Sequence, residues 1–480
     1  MQKGFAKDEF AKDHFSKDEF VKNKDAWMDA LKKALTDHKV TTNDTEREHH
    51  SHDESYHTAH LPDVVVYPEA NEDVQAVMRI ASRYGVPVVP YGVGTSLEGH
   101  PIPIYGGISL DLTRMNRILD IRPDDFLVHV QAGLTREALN KALRPHGLMF
   151  TVDPGADATL GGMAATNASG TTAVRYGVMR DHVRGMTVVL YDGTLLRLGG
   201  SYVKSSSGYN LKHLFIGSEG TLGVITELTL SLVGIPEMMI AARLTFPSVQ
   251  QAVHTAHQML RLVSSLARVE LVDRTSIEQM NQMKGTDYPP FDTLFLELHG
   301  NRAGLVEDES ILREVAHEGG ATHIQFETNQ EAREKLWEAR HHLAYAYLHA
   351  HPGKKQLVTD VCVPLTVLPE AIEVARQTLK EEGLDGGVLG HIGDGNFHTI
   401  VMVDDRDPED IARAERLHER LVHFALQHGG TSTGEHGVGL GKLPYQREEH
   451  GAALDWMVAI KRLFDPQYVL NPGKKIPFNP

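Results

Sequence analysis

The chain has 480 residues, 41 % of them hydrophobic and 23 % charged, enough for about three domain-sized units and too apolar for a mainly disordered chain. Forty-eight Lys and Arg against 64 Asp and Glu leave a formal charge of −16. That argues against a dedicated nucleic-acid binder and means that an anionic ligand must find a local cationic site. The single cysteine, Cys362, excludes an intrachain disulfide and structural zinc of the Cys₄ or Cys₂His₂ kind. No apolar run approaches the ~20 residues that span a bilayer. There is no secretory apolar core near residue 1, and the first arginine, Arg47, comes late for an Arg-rich transit peptide. The expected compartment is the cytoplasm.

Phenylalanines recur every five residues at Phe5, Phe10, Phe15 and Phe20. Five residues advance about 500° around an α-helix, so successive rings drift by about 140° and share no face. Residues 5–25 therefore read as a solvated or loosely docked stretch rather than a partner-binding helix, and residues 1–57 as an N-terminal extension. From there Asp63–Pro68 predicts a short strand, and Asn71–Gly85 a helix with acids in its first turn and a glycine stop. Strands are predicted at Val86–Pro90, Ile108–Leu112, Phe126–Val130 and Thr187–Tyr191, with a helix at Thr135–Leu143. This alternation runs to Ile235-Pro236, a plausible boundary. Beyond it, helices are predicted near Val249–Val263, Pro369–Glu382 and Pro408–His428, with strands at Thr293–His299, Gln356–Val363, Gly387–Gly393 and Asn396–Val403. The second half reads as an α+β domain with antiparallel pairing.

Asp394-Gly395 between two of these runs is a hairpin signal of the two-residue type I′ class. That register sets His391 directly opposite His398, a spacing that suits two imidazoles on one metal and equally a hydrogen-bonded pair. The glycine-framed Glu435-His436 in Gly434-Glu-His-Gly437 tips the balance towards a His₂Glu metal set of His391, His398 and Glu435, with an open position for substrate. The tract His49-His50-Ser-His52 through His57 and His60 is a rival, but its spacing is irregular and packing or surface roles are favoured.

No dinucleotide or P-loop fingerprint is present; Gly92-Val-Gly94-Thr-Ser-Leu97 begins like one but ends on leucine. Twelve of the fifteen residues 159–173 are Gly, Ala, Ser or Thr, so backbone there can approach a large flat or phosphorylated ligand, or simply pack tightly.

Several motifs act together. They are Pro90-Tyr-Gly-Val-Gly-Thr-Ser-Leu-Glu-Gly-His100, Asp153-Pro-Gly-Ala156, Gly161-Gly-Met-Ala-Ala-Thr-Asn167, Lys204-Ser-Ser-Ser-Gly-Tyr-Asn-Leu211 and Gly217-Ser-Glu-Gly-Thr-Leu-Gly-Val-Ile225. In the second half come Thr359-Asp-Val-Cys-Val-Pro364, Gly390-His-Ile-Gly-Asp-Gly-Asn-Phe-His398, Gly434-Glu-His-Gly437 and Asn471-Pro-Gly-Lys474. Over residues 52–480 the chain resembles the FAD-linked D-2-hydroxyacid dehydrogenases of the vanillyl-alcohol oxidase/PCMH superfamily. Within them it is nearest to the D-lactate dehydrogenase (cytochrome) branch, with the glycolate oxidase FAD subunit nearby.

The resemblance implies an α+β fold: a two-lobed PCMH-type FAD-binding domain at 58–236, a substrate and metal-binding cap with an antiparallel sheet at 237–445, and a C-terminal return at 446–480. It places FAD against Pro90, Gly92, Val93, Gly94, Thr95 and Ser96, then Pro154 and Gly155. Gly161, Gly162, Ala164, Asn167, Ser169 and Gly170 follow, then Glu219, Gly223, Ile225 and Asn471. The histidine of covalently flavinylated relatives is missing, so non-covalent FAD is expected. The implied reaction oxidises D-lactate to pyruvate by hydride transfer to flavin N5. His436 is then the general base, Arg340 the carboxylate clamp and Asn396 an orienting group. As a residue type alone, Arg340 reads instead as a helix-surface salt bridge, and a turn-adjacent Asn396 as conformational.

Zinc suits the His₂Glu set, with manganese, cobalt and iron as alternatives. Electrons are expected to pass to a cytochrome, a quinone or an electron-transfer flavoprotein. No nucleic acid and no transmembrane segment are expected; a homodimer and peripheral association at a membrane surface are compatible. Ala344 and Val358 stand where 2-hydroxyglutarate-specific relatives carry polar groups, favouring a small substrate. The alternatives are a glycolate or longer D-2-hydroxyacid dehydrogenase and, from a different class, a metallohydrolase. Cys362 between valines reads as a packed apolar residue.

Overall fold

The computed structural model describes residues 17–341 and 343–477. The first lobe is a four-stranded sheet in the order Val40–Thr41, Val64–Val66, Ile108–Asp111, Val88–Tyr91. Its last three strands run parallel, which requires cover on both faces and explains the uninterrupted apolar Val64-Val65-Val66. The helix Asn71–Tyr84 supplies one cover through Val74, Val77, Met78 and Ala81, and Gly85 ends it at φ 65°, a left-handed conformation that glycine adopts without strain.

The expected loose extension is corrected from Phe20 onward. Phe20, Trp27 and Leu31 are buried in the first-lobe core, the latter two from the helix Lys24–Ala34. Trp27 and Leu31 are four residues apart and so form one apolar helix face, a pattern that starts only after the repeat. Phe5, Phe10 and Phe15 lie outside the described residues.

The second lobe is an antiparallel sheet ordered Ile118–Arg122, Leu127–Gln131, Val224–Ser231, Val183–Val189, Leu195–Gly199. The strand expected at Thr187–Tyr191 starts earlier, at Val183. The final stretch returns to these lobes. Val88 N–H donates to the Val469 carbonyl at 2.7 Å and Asn471 N–H to the Val88 carbonyl at 2.8 Å. The buried Lys461 of the helix Ala453–Phe464 donates to the Thr221 and Leu470 carbonyls.

The cap is built on an eight-stranded sheet whose pairings are all antiparallel. Its strands alternate, so Leu294, Leu296 and Leu298 join one core while Phe295 joins the other. Helices Val249–Leu262, Arg302–Glu318, Leu368–Glu382 and Pro408–Gln427 cover the first face. Arg274–Lys284, Gln330–His341 and Leu343–Ala350 cover the second. The single strand expected at Gln356–Val363 is broken into Lys355–Val358 and Val361–Cys362. The interruption at Thr359-Asp360 matters for the site. Among the described residues no helix is long and apolar enough to cross a membrane.

Candidate functional site

Strands Gly386–His391 and Asn396–Val403 form the expected hairpin, but the two-residue turn is corrected to a four-residue connection, residues 392–395, with Gly395 at φ 89°. His391 therefore faces Asn396, and His398 faces Leu389. Moving the partner by two residues leaves every side chain on the face it had, because the strand period is two. The two imidazoles remain neighbours on one face, now diagonal, with ring centroids 5.4 Å apart.

Glu435 completes the group: its Oε1 lies 3.1 Å from Nε2 of both His391 and His398. The far ring nitrogens are already engaged. His391 Nδ1 is 2.6 Å from Glu270 Oε1, and His398 Nδ1 is 3.1 Å from the Thr359 carbonyl. That outer arrangement turns both Nε2 atoms to the same point, as in carboxylate–histidine–metal centres. Donors 3.1 Å apart match two bonds of about 2.1 Å to one ion. The residues fit a divalent metal.

A second grouping, Asp360, His398 and His436, does not. Asp360 Oδ2 accepts from Thr433 Oγ1, Glu435 N–H and His436 N–H at 2.7–2.9 Å, and Oδ1 accepts from Asn396 Nδ2 at 3.0 Å. Its lone pairs are committed to the loop. Burial alone would raise the Asp360 carboxyl, but the His436 and His398 imidazoles hold it below its ordinary value. His436 stacks on His398, ring centroids 4.9 Å apart and 9° from parallel. Its Nδ1 is buried without a partner, and burial pushes the imidazole down, favouring the neutral, proton-accepting form.

Arg340 is not a surface salt bridge: it is 7 % exposed, its Nη2 donates to Glu270 Oε2 at 2.7 Å, and its Nε is a buried donor without a partner. With His391, His398, Glu435 and His436 it lines a cavity of about 420 Å³. Pro90, Gly92, Val93, Gly94, Thr95, Ser96, Pro154 and Gly155 line the same cavity, as do Gly161, Gly162, Ser169, Gly170, Glu219, Gly223, Ile225 and Asn471. The small residues let wall segments touch each other: a Cβ on Gly170 would stand 2.3 Å from the Asp153 carbonyl.

Ala164, Asn167 and Asn396 stand outside this lining. Ala164 is fully buried, and Asn167 Oδ1 accepts from Arg180 N–H at 3.0 Å. Asn396 packs on Gly434, where a Cβ would come within 1.8 Å of its amide nitrogen. Ser169 spans the two domains, donating to Glu435 Oε2 at 2.6 Å. Glu219 does the same, accepting from Val438 N–H and Gly439 N–H at 2.8 Å and pairing with His100 and Lys475.

Glu270 and Asp360 went unassigned in the sequence. The only local signal for Glu270 is a charge inside the apolar strand Leu266–Val272. In the rival histidine tract, His50 is buried and bound to Asp111 and the Glu46 carbonyl, a packing role. Cys362 is half-buried, and burial pushes its thiol up to about 12, which favours the protonated thiol over the thiolate.

A PCMH-type fold carrying a metal-fitting triad and a buried arginine in one cavity defines the class, and comparison with known proteins agrees. The family of FAD linked oxidases, C-terminal domain, matches residues 235–475, and an FAD binding domain matches 62–199. The probable mitochondrial D-lactate dehydrogenase of Danio rerio is 43 % identical over 93 % of this chain and 91 % of that protein. The mitochondrial D-lactate dehydrogenase (cytochrome) of Arabidopsis thaliana is 40 % identical over 93 % of this chain and 79 % of its own. The 4-ethylphenol oxidase of Gulosibacter chungangensis shares the fold at TM-score 0.79 and 20 % identity, covering 97 % and 98 %. The chain belongs to the FAD-linked oxidase family and is an oxidoreductase, which sets the metallohydrolase aside. Those D-lactate dehydrogenases are mitochondrial, a different compartment from the cytoplasm expected on composition.

Burial alone would raise the Glu219 carboxyl, but Lys475, His100 and the Val438 amide outweigh it and hold it far below the usual range. A depressed folded-state pKa contributes stability above the unfolded value near ~4.5 that is lost as pH falls. Acid unfolding monitored below that pH is expected to be less steep in Glu219→Gln than in the parent chain.

Proposed function

We propose that this chain oxidises D-lactate to pyruvate, passing electrons from FAD to a non-NAD acceptor of the cytochrome class. The observation that carries the reading is that one cavity unites the small-residue segments of the first half, the buried Arg340, and the His391, His398, Glu435 set. A 2-hydroxy acid needs those three things: a carboxylate clamp, a group to acidify its hydroxyl, and a hydride acceptor. The FAD domain is taken as 58–236 with 446–480, the cap as 237–445, and the flavin as non-covalent because no histidine of the flavinylated kind is present.

When bound, FAD supplies the hydride acceptor, and a divalent ion, zinc by donor type, supplies Lewis acidity at His391, His398 and Glu435. Arg340, which lines the cavity, donates to the substrate carboxylate from its guanidinium. His436, which lines the cavity, takes the hydroxyl proton on its imidazole, kept in place by its stack on His398 and its backbone bond to Asp360. Ala344, Val358, Leu389 and Ile400 line the cavity; they offer nothing to a second carboxylate and favour a methyl group. Glycolate and longer D-2-hydroxy acids form the second reading, separated by kcat/KM across the series.

Anaerobic D-lactate should bleach the flavin band while L-lactate leaves it; a band that D-lactate leaves unchanged rejects lactate as substrate. Arg340→Lys, which loses the planar fork, should raise the KM for D-lactate by about 10–100-fold, read from steady-state kinetics. In His436→Ala, stopped-flow flavin reduction should slow by about 10²–10⁴-fold with FAD retained; an unchanged rate removes His436 as base.

A further inference from the structure

We propose that Glu270 is a positioning residue that locks the substrate-carboxylate clamp and the metal centre at one spacing, so that the pair is gauged to a carboxylate and a hydroxyl on adjacent carbons. This rests on the 2-hydroxy acid reading above. The Glu270 side chain is buried, and each oxygen serves a different half of the site. Oε2 accepts from Arg340 Nη2 at 2.7 Å and Oε1 lies 2.6 Å from His391 Nδ1. A carboxylate is planar and rigid, so the two partners cannot drift independently while both bonds persist.

Its mounting is equally firm. Glu270 sits on Leu266–Val272, inside the cap sheet, with its backbone paired to Phe295. One step beyond the Leu271–Gly390 pair, the same register sets Glu270 beside His391. Arg340 arrives separately, on the helix Gln330–His341. Leu336 and Trp337 pack the helix on the sheet, and Glu270 adds the polar tie between Arg340 and His391.

Chemistry supplies the reason for such a device. The carboxylate and hydroxyl of a 2-hydroxy acid are joined by a single carbon–carbon bond, and a misplacement of about 1 Å at a reacting group costs roughly 10²-fold in rate. An isolated buried carboxylate is strongly unfavourable, and here both compensating partners belong to the site. A glutamate serving packing alone could be replaced by an apolar residue of its size. This one orders two functional groups at once.

Glu270→Gln keeps the shape but offers a single acceptor oxygen for two donors. In the FAD-loaded variant without substrate, affinity for Zn²⁺ alone, measured by chelator competition, is expected to fall about 10–100-fold. On the same protein the KM for D-lactate is expected to rise about 10-fold or more, FAD content is unchanged, and combining it with Arg340→Lys adds little further. Unchanged Zn²⁺ affinity, a change in only one of the two quantities, or full additivity with Arg340→Lys overturns the proposal. If Glu270→Gln fails to fold, Glu270→Asp, which keeps the charge but is too short to reach both partners, decides by the same paired reading. A wild-type flavin that no 2-hydroxy acid reduces overturns the functional reading itself, whereas normal wild-type turnover with an unaltered variant overturns only the role of Glu270.

Discussion

One carboxylate without access to water organises the loop that carries Glu435 and His436. Asp360 accepts from Thr433, from the Glu435 and His436 amides, and from Asn396, tying the loop to the hairpin that carries His391 and His398. A hydrogen bond to a charged group contributes about 1.5–3 kcal/mol, and four of them together leave the loop little freedom to depart. The break between Lys355–Val358 and Val361–Cys362 puts Asp360 at the interruption rather than within either strand. Lys442, fully buried, donates to the Asp360 carbonyl at 3.2 Å and closes the rear of the same unit.

The two domains meet along a polar seam. Ser169 reaches Glu435, Glu219 reaches the amides of Val438 and Gly439, and Arg268 pairs with Asp153 at 3.1 Å. Tyr176 bonds His299 at 2.9 Å, which in turn is 2.7 Å from Glu297. Apart from His299–Glu297, which lies within one strand of the cap, each contact joins a segment of the FAD-binding half to the cap.

Local pattern read most elements well, and its failures are informative. Asn396–Val403 was legible to the residue, and Pro408–Gln427 nearly so, because proline and periodicity are local signals. The hairpin was legible but its turn was not, since a two-residue and a four-residue connection both fit Asp394-Gly395 until Gly395 packs against the Val363 carbonyl, 2.1 Å from where its Cβ would be. The face shared by His391 and His398 survived that error because a two-residue shift conserves parity. Arg340 read locally as a surface cation; its burial comes from a strand 70 positions away in sequence.

From residues alone came the metal-fitting trio His391, His398 and Glu435, the small-residue run at 159–173 that lines the cavity, the antiparallel second half and, through resemblance, the flavoprotein class. Those features are carried by residue type and short-range spacing, and a linear reading captures them. Only the tertiary structure decided that Glu270 serves both Arg340 and His391, that Asp360 anchors the Glu435-His436 loop, and that Glu219 and Ser169 bind domain to domain. Each of these is a buried charge or hydroxyl whose partners lie far away along the chain, and a buried polar group reveals its purpose only when the fold brings to it the atoms that replace water.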